Sequence, residues 1–306
     1  MPVTAFLFPG QGAQAVGMGV DACEGSAAAR AVFDQVEETL GAGLVDIIRN
    51  GPAEALTRSN NAQPAILAVS IAYLAAMRDR LGSAMPVPAL AAGHSLGEYT
   101  ALVAVGALDL AVALRLVRRR GELMQAAAEA TPSGMAAVLG MRLPDVEALC
   151  AEAGAQLANV NSAEQIVIAG ATEALERAVT LAMARGARRA IALDVAGAFH
   201  TEVMRPAQEA MMAELASVDI ARPTTPIIAN STALPISDPS EILQELERQI
   251  CAPVLWQQTI ERMAADGIER VVEVGPGKVL TGLARRIVPS IETANIGDLD
   301  SVRALA

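Results

Sequence analysis

A chain of 306 residues can bury a core large enough for one large domain or for a large and a small one. Apolar residues make up 53% of it but aromatic ones only 2%, so Ala, Val, Leu, Ile and Met must build the core, which disfavours functions resting on stacked aromatics, including most single-strand nucleic-acid platforms. The formal charge of −11 argues further against a nucleic-acid partner, because such binders carry a basic face.

Strand-like apolar runs alternate with amphipathic or Ala-rich helical runs for most of the length, which points to an α/β fold with a largely parallel sheet. Residues 3–8 read as the first buried strand, followed by a glycine-rich loop over 9–18. Helices are predicted over 27–40, 43–50, 63–81, 97–105 and 110–130, with the short apolar stretch 85–92 as a buried strand ahead of the fourth. Thr131-Pro132-Ser133-Gly134 breaks the last of them. From Met135 the pattern changes to a short strand, a helix over 143–153, a strand over 165–169, a helix over 172–185 and a strand over 189–195. This β-α-β-β-α-β-like order suggests an inserted ferredoxin-like subdomain. Helices follow over 202–217, 239–249 and 253–266, with strands over 226–230 and 270–274, the latter meeting Gly275-Pro276-Gly277 and a final helix. The expected organisation is a hydrolase-like large α/β catalytic subdomain from residues 1–131 and 199–306, with a ferredoxin-like small subdomain over 132–198.

Cys23, Cys150 and Cys251 are an odd, widely spaced set without a Cys-x-x-Cys pair or a clustered histidine. That fits a reducing compartment and argues against a disulfide framework or a metal site. The chain enters its first strand without a basic leader or cleavage pattern, and Arg, Asp, Glu or Gly interrupt the apolar stretches before they reach the roughly 18 to 20 residues that span a bilayer. The expectation is a soluble, cytoplasmic protein with no membrane partner.

Gly93-His94-Ser95-Leu96-Gly97-Glu98 lies between the strand-like 85–92 and the helical pattern from Glu98, where a Gly-x-Ser-x-Gly turn can act as a nucleophile elbow. The two glycines let strand and helix approach closely while Ser95 takes a strained backbone, and the helix N-terminus favours negative charge developing near its Oγ. A serine hydroxyl needs a general base. Of the two histidines, His94 adjoins the serine and suits packing or hydrogen bonding across the turn, which leaves His200 as the candidate base. Asp194 could orient that ring as in a Ser-His-Asp triad, but it shares a strand-like run with His200; a backbone carbonyl or side-chain amide could serve instead.

Four further segments complete a pattern with these residues: Phe8-Pro9-Gly10-Gln11-Gly12-Ala13-Gln14, Arg119-Arg120-Gly121-Glu122-Leu123-Met124, Asn159-Val160-Asn161-Ser162, and the stretch from Val274 to Gly282. Together they resemble the malonyl-CoA:acyl-carrier-protein transacylases, a family that also includes acyltransferase domains of fatty-acid and polyketide synthases, free-standing polyketide acyltransferases and a malonate-decarboxylase subunit. The resemblance runs over almost the whole chain in the right order. It implies that Ser95 carries the acyl group as an ester, that His200 is general base and acid, and that Arg120 clamps the substrate carboxylate with its planar fork. It further implies that the Gln11 and Leu96 amides form the oxyanion hole, that the Gln249 backbone carbonyl orients His200, and that Asn161 lies near the site in a substrate-binding role.

In related synthase domains the histidine loop reads like His-Ala-Phe-His for malonyl and Tyr-Ala-Ser-His for methylmalonyl selection. Gly197-Ala198-Phe199-His200 keeps the bulky Phe199, which would crowd an α-methyl group and favours malonyl. The implied reaction is ping-pong transfer from malonyl-CoA to the phosphopantetheine thiol of an acyl carrier protein, with no metal or other cofactor, by a chain expected to act as a monomer. Because carrier proteins are usually acidic, as this chain is, docking is expected to use local arginines such as Arg188, Arg189, Arg222, Arg285 and Arg286. The rival readings are a serine (thio)esterase that edits acyl carriers, the malonyl transferase subunit of malonate decarboxylase, and a noncatalytic carrier-binding scaffold.

Overall fold

The structure is a computed structural model that describes residues 2–304. In chain order it runs β1 Thr4–Phe8, α1 Val20–Gly25, α2 Ala27–Leu40, α3 Leu44–Asn50, α4 Ala53–Thr57, α5 Ser59–Leu81, β2 Leu90–Gly93, α6 Gly97–Ala104 and α7 Leu110–Ala130. There follow β3 Ser133–Leu139, α8 Leu143–Ala153, β4 Gln156–Ser162, β5 Gln165–Ala171, α9 Thr172–Ala184 and β6 Arg189–Ala192. The chain then continues through α10 Arg205–Leu215, β7 Ile227–Ile228, β8 Pro235–Ile236, α11 Pro239–Gln249, α12 Trp256–Ala265, β9 Arg270–Val274, α13 Val279–Ile287, β10 Glu292–Ile296 and α14 Leu299–Arg303.

Six strands form the larger sheet in the order β10-β9-β1-β2-β7-β8, parallel throughout except where β8 turns back on β7. Its central strand β1 is buried at every residue, as a parallel strand covered on both faces must be. Phe6 and Phe8 point into the core under α2, α5 and α7, while Ala5 and Leu7 point into the second core with Trp256, Ile260, Leu280 and Leu283 of α12 and α13. Helix α5 is buried over nearly its whole surface, which explains its lack of a polar stripe.

The second sheet is antiparallel, in the order β4-β5-β3-β6, with α8 and α9 packed on one face around Val146, Leu149, Ile166 and Ile168. This is the ferredoxin-like arrangement. The two sheets make the chain a mixed α/β molecule, as its patterning suggests.

Several predicted boundaries shift. The helix expected over 202–217 opens with a 3-10 turn over Glu202–Met204 before α10, and the one expected over 253–266 starts only at Trp256. The strand expected over 189–195 pairs only as far as Ala192, and residues 193–196 leave the sheet to line a cleft. The strand expected over 226–230 pairs only at Ile227–Ile228. Helix α5 begins at Ser59, with Pro64 inside it.

Candidate active site

The turn between β2 and α6 places Ser95 at the carboxyl end of the parallel sheet with φ 52°, a left-handed backbone that costs a non-glycine residue energy. Both flanking glycines are required by close approach. A Cβ on Gly93 would sit 1.8 Å from the Gly97 carbonyl carbon, and one on Gly97 would sit 2.1 Å from the Phe8 carbonyl oxygen. Gly10 brings the loop after β1 against the same elbow, where a Cβ would meet the His94 carbonyl oxygen at 2.4 Å. That contact carries the adjacent Gln11 to the rim of the Ser95 cleft.

His200, with φ 62°, faces the serine from the loop between β6 and α10. Its Nε2 lies 2.8 Å from Ser95 Oγ, and its Nδ1 lies 2.9 Å from the Gln249 main-chain oxygen. A carbonyl oxygen can only accept, so the Nδ1–H donates and Nε2 of the neutral ring keeps its lone pair for the serine proton. Gln249 ends α11, where main-chain carbonyls lack helical partners and carry the negative end of the helix dipole. Asp194 lines the cleft, but the acceptor at Nδ1 is this carbonyl rather than a carboxylate. Burial, helped by the nearby Arg120 charge, pushes His200 down to about 3. The ring is therefore neutral at neutral pH.

Arg120 comes from the middle of α7 and is buried beneath the serine. Its Nη2 donates to Ser95 Oγ at 3.1 Å and to Gln249 Oε1 at 2.8 Å, and its Nη1 donates to Gln63 Oε1 at 2.8 Å. The Nε–H has no partner among the described residues, and the guanidinium lies 5.6 Å from the centre of the Tyr99 ring. No carboxylate pairs with Arg120 among the described residues, so a buried cation stands ready with donors to spare. Burial lowers its affinity for its own proton, opposed by Tyr99 and Glu98.

Ser95, His200, Arg120, Gln11 and Phe199 line one cleft of about 430 Å³, together with Met135 and Asn159 of the smaller sheet and residues 193–196 just beyond it. The Ser95 amide is spent on Asn230 Oδ1 at 2.7 Å, so it is not available to an oxyanion. The amides of Gln11 and Leu96 have no acceptor among the described residues, and Leu96 stands immediately before the N-terminus of α6. His94 Nε2–H donates to Asn161 Oδ1 at 3.0 Å, and His94 packs at a tilt on Trp256 with ring centres 5.4 Å apart. Asn161 thus supports the cleft wall through His94, while Asn159 lines the cleft directly. Among the docking candidates, Arg188 and Arg222 are engaged by Glu164 and Asp238.

A sequence profile described as the acyl transferase domain matches residues 5–299. The malonyl CoA-acyl carrier protein transacylase of Bacillus subtilis is 42% identical over 310 residues, covering 99% of this chain and 96% of that protein. This chain belongs to the malonyl-CoA:acyl-carrier-protein transacylase family. The crystal structure of an acyl carrier protein S-malonyltransferase from Vibrio cholerae superposes with a TM-score of 0.95 at 40% identity, covering 99% of this chain and 100% of that one. A malonyl-transacylase solved in complex with a type II polyketide-synthase acyl-carrier protein superposes with a TM-score of 0.94 at 35% identity over 98% of each chain.

The resemblance did not reach four residues that join this family's site in the present chain: Gln63, Asn230, Glu98 and Glu245. Each is a buried polar side chain; Gln63, Asn230 and Glu98 hydrogen-bond segments far apart in sequence, while Glu245 is held by Ser231 and Arg248 on nearby turns of chain. Glu98 alone had a local signal, a carboxylate in the first turn of an otherwise apolar helix.

Among the described residues no cluster of His, Cys, Asp or Glu is placed to hold a metal ion, and no helix is long and apolar enough to cross a membrane.

Proposed function

We propose that this chain transfers malonyl from malonyl-CoA to the phosphopantetheine thiol of an acyl carrier protein, in fatty-acid or polyketide synthesis, through an ester on Ser95. The observation that carries the reading is Arg120, a buried guanidinium with unspent donors that touches the nucleophile itself. A hydrolase of neutral esters has no use for such a cation, whereas an acyl group ending in a carboxylate needs one.

His200 takes the Ser95 proton at Nε2 as Oγ attacks the thioester carbonyl. The tetrahedral oxyanion accepts the Gln11 and Leu96 N–H groups, each worth about 3 kcal/mol when aimed at the transition state. The Gln249 carbonyl at Nδ1 steadies the imidazolium that forms. The carbon–sulfur bond then breaks, and His200 returns the proton to the departing CoA sulfur. In the second half the carrier thiol gives its proton to His200 and attacks the Ser95 ester; the Oγ–acyl bond breaks, His200 returns the proton to Ser95 Oγ, and the carrier leaves with the malonyl group. The chain's own groups supply every proton and charge in this sequence, so the reading calls for no cofactor beyond the CoA thioester.

The buried Phe199 at the cleft wall leaves little room beside the α-carbon, which supports malonyl over branched acyl groups. Exposed arginines, Arg189 and Arg286 among them, would take the acidic carrier. We assign the reaction to the cytoplasm, supported by three unpaired cysteine thiols, and to a monomer, since every group in the scheme comes from one chain.

The test is a panel of acyl-CoA thioesters offered with several carrier proteins, read by mass spectrometry on enzyme and carrier. Malonyl should load and pass on in preference to acetyl. Acetyl transfer as fast as malonyl transfer would overturn the role of Arg120.

A further inference from the structure

Glu98 is the second residue of α6, and its side chain is fully buried. One carboxylate oxygen accepts the Asn230 main-chain N–H at 2.9 Å and lies 3.3 Å from Asn230 Nδ2, while the other accepts from Gln249 Nε2. The direction of each bond is dictated by a group with no choice. The Ser95 N–H can only donate, so Asn230 turns Oδ1 to the elbow and Nδ2 to the Gly93 carbonyl and Glu98. Arg120 can only donate, so Gln249 turns Oε1 toward it and Nε2 toward Glu98 and the Ser95 carbonyl. Both oxygens of Glu98 must therefore accept.

This position is an unfavourable one for a carboxylate. Burial pushes Glu98 well up from the usual carboxylate range, and the Glu245 carboxylate, held by Ser231 and Arg248, pushes the same way. A glutamine would fill the space without that penalty, so packing alone gives no reason for a glutamate. We propose that Glu98 is a positioning residue for acyl selection: as an acceptor on both oxygens it fixes the Gln249 amide with Oε1, not Nε2, against Arg120, and so holds the guanidinium where an anionic acyl group needs it.

The inference rests on the proposed transfer reaction and makes a distinct prediction. In a Glu98→Gln variant the fixed Asn230 N–H claims the amide oxygen, and the new NH2 group meets Gln249. Gln249 must then rotate and present its own NH2 to Arg120, donor against donor.

The experiment measures kcat/KM for Ser95 acylation by malonyl-CoA and by the neutral ester p-nitrophenyl acetate. In E98Q the malonyl value should fall tenfold or more, chiefly through KM, the neutral ester should lose threefold or less, and the thermal midpoint should not drop. Equal losses on both substrates, or an unchanged ratio, would overturn the proposal. Gln249→Leu keeps the main-chain carbonyl on His200 and should lower the ratio similarly, with E98Q adding nothing further in the double variant. A further tenfold loss there would place Glu98 on another route and overturn it too. Should E98Q fail to fold, an unchanged ratio in Gln249→Leu decides against the proposal. A wild-type chain that is not acylated by malonyl-CoA would instead refute the transfer reaction, so the two failures are distinguishable.

Discussion

Arg120 Nη2 stands 3.1 Å from Ser95 Oγ, so the cation proposed to hold the far end of the acyl group also touches the atom that receives its near end. That closeness sets a length. The carboxylate of malonyl, one methylene from the reacting carbonyl, can take over the Nη2–H as the serine is acylated. Succinyl-CoA carries its carboxylate one methylene farther and must fold back or push the guanidinium from Gln63 and Gln249. Its kcat/KM should fall at least about 100-fold below that of malonyl-CoA, the scale of losing an oriented charge-assisted bond or two. Equal rates for the two diacids would separate Arg120 from the substrate carboxylate.

The pH dependence follows from His200. With the ring held down to about 3, the base stays unprotonated across the range where an ordinary histidine titrates. The free-enzyme profile, kcat/KM for p-nitrophenyl acetate, should be flat from pH 8 to below 5; a limb centred near 6.5 would contradict the burial argument. Arg120 is the second cause of the depression, so a bound malonyl carboxylate that offsets its charge should raise the limb in kcat above that in kcat/KM. Stability carries the matching sign. As pH falls from about 6.5 to about 3, the unfolded chain takes up a proton that the folded ring refuses, so this residue's contribution to stability is lost over that window. A His200→Asn variant should show a shallower loss in denaturant titrations across it.

Much of this architecture is legible in the sequence, and the exceptions have physical causes. Helices α2, α8 and α11 and strand β9 begin and end where their apolar periodicity does. Strand β10 goes unpredicted because Glu292–Ile296 is a half-exposed edge in which Glu, Ala and Asn outnumber the β-branched Thr293 and Ile296, and β4 because Gln and Asn dilute its pattern. Helices α1, α4 and α14 are each only five or six residues long and owe their form to tertiary packing. In the cleft, the elbow was readable because its glycines answer to local sterics. The Gln63, Asn230 and Glu98 contacts were not, because hydrogen bonds spanning 57 to 135 residues leave no periodic trace.

The elbow's tolerance can be measured directly. A Gly93→Ala methyl would fall inside the Gly97 main chain, which has no side chain to move aside. The variant should lose about 3 kcal/mol or more in urea unfolding, the upper range for overpacking against a rigid neighbour. A loss below about 1 kcal/mol would mean that strand and helix can part without harm.

Phe199 should govern bulk at the α-carbon. Phe199→Ala removes the large side chain beside the cleft, and the ratio of methylmalonyl to malonyl acylation should rise about tenfold, with thermal stability reduced by the loss of a buried ring. An unchanged ratio would place the steric wall elsewhere.

The most direct measurement is peptide-level mass spectrometry after brief incubation with malonyl-CoA, followed by addition of a phosphopantetheinylated acyl carrier protein. A malonyl ester should appear on the peptide containing Ser95, be absent from Ser95→Ala, and move to the carrier thiol when the carrier is added. A malonyl group found elsewhere, or an ester on Ser95 discharged only to water, would contradict transfer through Ser95.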